Sequence, residues 1–134
     1  CGYPVVGQIN HKLSFMSTAA LQANAFYADV IEHGVVFTLL EDESFPILRI
    51  DGREVIPFWS SRARAERVLQ EHPKYERYEV DEIALSDFLA KTLSQLEEEN
   101  IRVGVNWSGP RLTGYDVSVG DIRANIDAHA RRNG

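Results

Sequence analysis

Cysteine is almost missing from this sequence. Cys1 is the only one among 134 residues, so the chain can form neither an intramolecular disulfide nor a cysteine-based metal site. Long apolar runs are missing as well, because the run from Val35 to Leu40 is far shorter than the ~20 residues of a membrane-spanning helix. These absences predict a soluble protein without a membrane span, in the reducing setting of a cytoplasm.

Catalytic and cofactor motifs are also absent. The sequence contains no G-x-S-x-G, no G-x-x-x-x-G-K-[ST] and no G-x-G-x-x-G, which excludes the common nucleophile elbow and the common phosphate-binding loops. No two histidines have the spacing of a zinc site such as H-E-x-x-H. The histidines are His11, His33, His72 and His129. We therefore predict no catalytic residue, no metal and no cofactor. The absence of these motifs is more typical of a non-enzymatic protein than of an enzyme.

Basic charge is in deficit. Lysine and arginine number 14 against 20 acidic residues, for a formal net charge of −6, whereas a general nucleic-acid binder needs surplus basic residues to displace counterions from phosphates. We therefore expect no nucleic acid among the partners. Arg62, Arg64 and Arg67 nevertheless recur along one predicted helix. They indicate either a solvated helix face or a site for a small anionic partner.

What the sequence does contain is a pattern of helices and strands in one domain. Apolar residues at helical spacing, together with capping residues, predict four helices. The first lies between Ser17 and Gly34, the second between Ser61 and Pro73, the third begins at Ser86, and the last begins at the S-x-x-D pattern of Ser118.

Runs rich in β-branched and aromatic residues predict the strands. These runs are residues 35–40, 45–50, 53–59, 76–83, 101–107 and 115–119. Asp51-Gly52 predicts a type I′ hairpin within an antiparallel meander, and the "SGPRLTG" loop predicts a second hairpin. Pro57 cannot donate to a sheet ladder, which predicts an edge strand or a bulge there. The fold class is therefore α+β, with four helices packed on an antiparallel or mixed sheet of five to six strands.

The first residues differ from the rest. The only methionine is Met16, and the sequence reads as a helix soon after it. We interpret residues 1–15 as an N-terminal extension, whose deletion should leave stability nearly intact, and residues 16–134 as a single α+β domain. The alternative is a lipoprotein that is anchored through Cys1.

Four segments carry a family resemblance. They are "GVVFTLLEDE", "DGREVIPFWSSRARAERV", "ALSDFLAKTLSQLEEENIRVGVNW" and "DVSVGDIRANI". From Phe26 to about Ile126 the chain resembles the bacterial domain of unknown function 2750, which implies an order of elements but no activity. That family often has a proline after the tryptophan, where this chain has Ser60. A looser likeness, through "DGREVIPFWSS" alone, is to the N-terminal domain of bacterial proteins associated with enhanced serine sensitivity.

The candidate binding site is the stretch from Trp59 to Arg62, where the third predicted strand (β3, residues 53–59) leads into the second predicted helix (α2, between Ser61 and Pro73); we call it the β3–α2 corner. Ser60 and Ser61 lead from a strand into a helix, where free backbone N–H groups, hydroxyls and the positive helix end can hold an anion. The same serines also suit an ordinary helix cap. Trp107 ends a second predicted strand, so the two tryptophans can either line one edge of the sheet or belong to the core.

Alternation within the strand favours a structural role for Trp59. Val55, Pro57 and Trp59 fall on one face, and Ile56 and Phe58 on the other, so both faces are apolar and the strand should be covered on both sides.

Two functions follow from these patterns. The first is a non-enzymatic protein-interaction or regulatory module, which binds an unidentified protein through Trp59 and Trp107. The alternative is a small-anion or metabolite-binding protein, or a weak enzyme, built on Ser60, Ser61 and Arg62.

Overall fold

The computed structural model describes residues 17–133, and the predictions about the N-terminal extension, Met16 and Cys1 lie outside the described residues. Within this range the chain forms four helices and six strands, which confirms the α+β class. The helices are α1 (Thr18–His33), α2 (Arg62–Glu71), α3 (Leu85–Asp87, continued by a π-helical turn Phe88–Thr92 and by Leu93–Glu98) and α4 (Val119–Asn133). The strands are β1 (Val35–Leu40), β2 (Leu48–Ile50), β3 (Arg53–Phe58), β4 (Glu79–Ala84), β5 (Arg102–Val105) and β6 (Asp116–Val117). None of these helices is long and apolar enough to cross a membrane.

Three helices begin at the predicted serines. The hydroxyls of Ser17, Ser61 and Ser118 each accept a hydrogen bond from the backbone N–H three residues later, at 3.0, 3.2 and 3.1 Å. Such caps satisfy N–H groups that have no partner inside the helix. Gly34 ends α1 with φ 71°, a left-handed conformation that glycine adopts without steric cost.

The third helix begins two residues earlier than a cap at Ser86 would place it, because the residue at the cap position is Ala84. α3 starts at Leu85, and Ser86 lies inside it, so the predicted cap at Ser86 is wrong. The reason is that β4 runs directly into the helix. The N–H of Leu85 donates to the carbonyl of Gly34 (2.8 Å), the residue before β1. This backbone hydrogen bond satisfies one of the N–H groups that have no partner inside the helix.

The strands form two sheets. One has the order β2-β3-β5-β6, with β3 and β5 parallel and the other pairs antiparallel, and the second consists of β1 and β4. The hairpin at Asp51 (φ 50°) and Gly52 (φ 79°) is confirmed.

The predicted meander is wrong for β1, which pairs with β4 instead of β2. On its other side, Phe37 of β1 exchanges two backbone hydrogen bonds with Trp59, at 2.8 and 2.7 Å, so no place remains there for β2.

Pro57 lies in an inner strand, between β2 and β5, so the prediction of an edge strand is wrong. The carbonyl of Phe58 accepts from the N–H of Asn106 (2.9 Å), so Phe58 faces β5 and Pro57 faces the opposite side. On that side β2 does not extend as far as Pro57, because its terminal residue Leu48 pairs with Val55, two residues before the proline. The ring of Pro57 therefore stands where no backbone donor is needed.

β3 is buried on both faces, as its alternation predicted. Ile56 and Phe58 belong to a core shared with α1, α3 and α4. Val55 and Trp59 belong to a second core, shared with α2, Tyr75 and the loop that contains Leu112. One face of the sheet is thus covered by α1, α3 and α4, and the other face is covered by α2 and by the loop after β5.

Candidate functional site

The two tryptophans of the site lie together inside the protein. Trp59 is fully buried and Trp107 is 1% exposed. The indole N–H of Trp59 donates to the carbonyl of Trp107 (2.8 Å), and the indole N–H of Trp107 donates to the carbonyl of Tyr115 (2.8 Å). This burial agrees with the predicted structural role of Trp59, and both residues are almost entirely removed from the protein surface.

Trp107 packs against bare backbone. A Cβ atom built on Gly104 would lie 2.6 Å from Cε2 of the indole, and one built on Gly114 would lie 2.5 Å from its Cδ1. Real Cβ atoms do not approach other heavy atoms so closely, because packed interiors leave no spare volume. Both glycines are therefore required by the position of the Trp107 ring.

A buried amide holds the β3–α2 corner. Asn106 is fully buried, and its Oδ1 accepts from the N–H of Ser60 (2.8 Å), while its Nδ2 donates to Ser60 Oγ (2.9 Å) and to the carbonyl of Gln22 (3.1 Å). The hydroxyl of Ser60 in turn donates to Asp29 (2.9 Å). All these polar groups are paired, as burial requires. The network joins the end of β5, the corner and α1.

Sequence reasoning missed Asn106. The signal was present, since asparagine interrupts the apolar run "VGVNW" and is one of the few residues that tolerate a positive φ, which is 52° here. Its partners Gln22, Asp29 and Ser60 come from distant segments, however, and no local pattern links them.

The other two corner residues are also engaged. Ser61 Oγ caps α2 by accepting from the N–H of Arg64 (3.2 Å). Arg62 is exposed, pairs with Glu82 (3.4 Å) and lies 5.4 Å from the centre of the Phe37 ring. An anion at this corner would compete with these intramolecular contacts. Anion binding by Ser60, Ser61 and Arg62 stays a prediction.

Arginine–carboxylate pairs line a groove of about 780 Å³ between the β2–β3 hairpin and the start of α4. Arg53 and Arg102 both donate to Asp116, at 3.0 and 2.7 Å, and Arg49 pairs with Glu54 (3.0 Å). Burial alone would raise the pKa of Asp116, but the hydrogen bonds and charges of its two arginines hold it below the ordinary value. The three arginines that line the groove are therefore each paired with a carboxylate.

Among residues 17–133, no group of three His, Cys, Asp or Glu side chains is placed to hold a metal ion.

Within the part of the chain that the structure describes, one edge of β4 is open. Phe37 of β1 faces Trp59, so its neighbours Val36 and Thr38 face β4, where they pair with Ile83 and Asp81. Backbone groups of a strand alternate in direction, so those of the intervening residues of β4 point away from β1. We call the backbone N–H and C=O groups of Val80 and Glu82, with the N–H of Ala84, the β4 edge.

The β4 edge has no backbone partner among the residues that the structure describes. Its strand is acidic, with side chains from Glu79, Asp81 and Glu82. Edge strands commonly carry charges, which prevent unwanted strand pairing. Within residues 17–133 this strand forms one ion pair, between Glu82 and Arg62. Both side chains of the pair are 51% exposed, so it neutralises the charge of the strand only weakly.

Comparison with known proteins identifies a family. No curated protein sequence matches the chain. The chain is similar to the solved structure "Tic22 from Plasmodium falciparum", at 22% identity and a TM-score of 0.44, over 63% of this chain and 48% of that one, and so spans about half of that protein's length. The family described as "Protein of unknown function (DUF2750)" matches residues 23–126, most of the chain, and the protein belongs to this family.

Proposed function

We propose that this chain is a non-enzymatic protein-interaction module of the bacterial cytoplasm, which binds an extended, basic segment of a partner protein along the β4 edge. The observation that supports it is the row of outward backbone groups on Val80, Glu82 and Ala84, which have no partner within residues 17–133. A reducing compartment suits a chain with a single cysteine. Because Trp59 and Trp107 are buried, the contact surface lies at the edge of the sheet instead of at the tryptophans.

The binding mode is strand addition. An extended segment that lies beside β4 pairs its own N–H and C=O groups with those of the β4 edge, and these main-chain hydrogen bonds supply the affinity. α3 begins at Leu85 and closes one end of the edge. The binding surface is therefore only as long as β4 itself, six residues.

Charge determines which strand can be added. Two copies of β4 placed edge to edge would bring Glu79, Asp81 and Glu82 of each copy close to those of the other, and like charges on paired strands are destabilising. A segment with lysine or arginine at alternate positions would instead place opposite charge beside Glu79 and Asp81, which share one face of β4. The strand therefore favours a basic partner and disfavours a second copy of itself.

Peptide binding to the full chain tests the proposal. The probes are a fluorescently labelled ten-residue peptide of alternating valine and lysine and a matched peptide of alternating valine and glutamate, followed by anisotropy at low and high salt. We expect the basic peptide to bind, the acidic peptide not to bind, and the binding of the basic peptide to weaken as salt screens the charges.

Two variants of one residue separate backbone pairing from simple charge attraction. Glu82→Pro and Glu82→Val remove the same carboxylate, but only proline also removes an outward N–H, and edge strands tolerate proline at such positions. Glu82→Pro should weaken binding by about tenfold relative to Glu82→Val, since it removes main-chain hydrogen bonding. Circular dichroism must show that both variants fold.

Three results would overturn the proposal. They are equal affinity of the proline and valine variants, equal binding of the acidic and basic peptides, and concentration-dependent dimerisation of the full chain that Glu82→Pro abolishes. The last result would assign the β4 edge to a second copy of the chain.

A further inference from the structure

A small cavity lies between α2 and the turn that follows β5. Its volume is about 90 Å³, room for a few atoms of ligand. It is lined by Arg64, Arg67, Val68, Glu71, Trp107 and Ser108. The α2 residues follow the i, i+3, i+4, i+7 spacing of one helix face, so this face of α2 forms one wall and the turn forms the other.

Two arginines of this cavity have no counter-ion within the described range 17–133. Arg64 is half-buried and Arg67 exposed, and neither guanidinium forms an ion pair within residues 17–133. Other arginines do form such pairs. They are Arg49, Arg53, Arg62, Arg102 and Arg131. In a chain with six more acidic than basic residues, two neighbouring arginines beside one cavity are suited to a ligand of negative charge.

The turn contributes the hydroxyl of Ser108, which donates to no acceptor among residues 17–133. Gln22 is 8% exposed, and its side-chain amide donates to Ser108 Oγ. Because that oxygen accepts from Gln22, the hydroxyl hydrogen of Ser108 remains available to donate to a ligand. The cavity thus combines two guanidinium groups, one hydroxyl donor and the carboxylate of Glu71.

We propose that this cavity binds a phosphate group. Arg64 and Arg67 match its oxygens with forked N–H donors, and Ser108 adds a third donor. Glu71 determines which oxyanion fits: phosphate at neutral pH keeps a P–OH group that can donate to this carboxylate, whereas sulfate has no proton and meets Glu71 as a like charge. The site lies further along α2 than Ser60 and Ser61, and it is independent of the β4 edge.

Calorimetric titration of the full chain with inorganic phosphate and with sulfate, at equal ionic strength, tests the site. We expect phosphate to bind more tightly than sulfate. Arg64→Gln and Arg67→Gln should each weaken phosphate binding by about tenfold, the effect of losing a charge-assisted hydrogen bond. The matched control is Arg77→Gln, which removes an exposed arginine outside the cavity and should leave phosphate binding unchanged.

Glu71→Gln tests the choice of ion. It should narrow the difference between phosphate and sulfate, because the amide no longer repels sulfate and can donate to it. In parallel, the NMR signal of the Trp107 indole N–H should shift when phosphate binds to the wild type but not to Arg64→Gln. The proposal is wrong if phosphate binds no more tightly than sulfate, if Arg77→Gln weakens phosphate binding as much as Arg64→Gln does, or if Glu71→Gln leaves the preference for phosphate over sulfate intact.

Discussion

Replacing Gly104 with alanine should destabilise the protein through its contact with Trp107. The added Cβ would lie 2.6 Å from Cε2 and 2.8 Å from Nε1 of the indole, so one of the two residues must move. Gly104 is fixed between two strands, where it pairs with Pro57 and Asp116. The indole is held as well, because it is buried and its N–H is bonded to the carbonyl of Tyr115.

The expected cost follows from these contacts. Overpacking of a well-packed core costs about 1–3 kcal/mol, and disturbing the indole hydrogen bond adds about 1 kcal/mol. We therefore expect Gly104→Ala to lower the free energy of unfolding by about 2–4 kcal/mol. Urea unfolding followed by circular dichroism measures this loss.

Another glycine supplies the control. A Cβ on Gly120 meets nothing closer than Ser118 Oγ at 4.0 Å, and alanine is the better helix former, so Gly120→Ala should be neutral or stabilise by up to ~1 kcal/mol. Trp107→Leu removes the atoms that the new Cβ of Gly104→Ala would meet, so in that background most of the penalty should vanish. Equal costs for the two glycine substitutions, or an unchanged penalty in the Trp107→Leu background, would refute the reasoning.

Two further predictions concern Trp59 and Asp116. Trp59→Ala should cost about 3–5 kcal/mol in urea unfolding, as large-to-small substitutions in a core do, and a nearly neutral result would mean that the ring is exposed. Asp116→Asn should cost about 1.5–3 kcal/mol at neutral pH, because it weakens charged hydrogen bonds to two arginines. Since the folded protein lowers the pKa of this carboxyl, its contribution is fully present above the unfolded pKa of about 3.9 and is lost as pH falls through the lower folded value. A difference between wild type and Asp116→Asn that persists unchanged at the lowest pH of the unfolding series would contradict this assignment.

Much of the fold could be predicted because its determinants are local. Ser17 and Gly34 cap the ends of one helix within the same short segment, and Asp51-Gly52 specifies its turn by backbone conformation alone. The two buried faces of β3 follow from the identities of consecutive residues. Each of these features depends on neighbours in the sequence, so a single sequence is sufficient to predict them.

Pairing between distant segments could not be predicted in the same way. β1 and β4 are separated by two strands and a helix, and the choice of β4 as partner depends on Trp59 occupying the other side of Phe37. The candidate site shows the same limit. Alternation along β3 predicts that Trp59 is buried, but the burial of Trp107 depends on α2, which is far from it in the sequence, and on Leu112, which lies in a loop without a pattern.

The structural role of the corner and the proposed role of β4 follow from one arrangement. Asn106 fixes the backbone of Ser60, and this holds Trp59 against Phe37. With one side of β1 occupied by Trp59, only the other side can accept a neighbour, and β4 takes it. Among residues 17–133, β4 is then the outermost strand of its sheet, and its outward backbone groups are the ones that we propose pair with a partner. The residues that resemble a binding site in the sequence thus have a structural role: they pack in the core, and their contact with β1 determines which strand has an unpaired edge within residues 17–133.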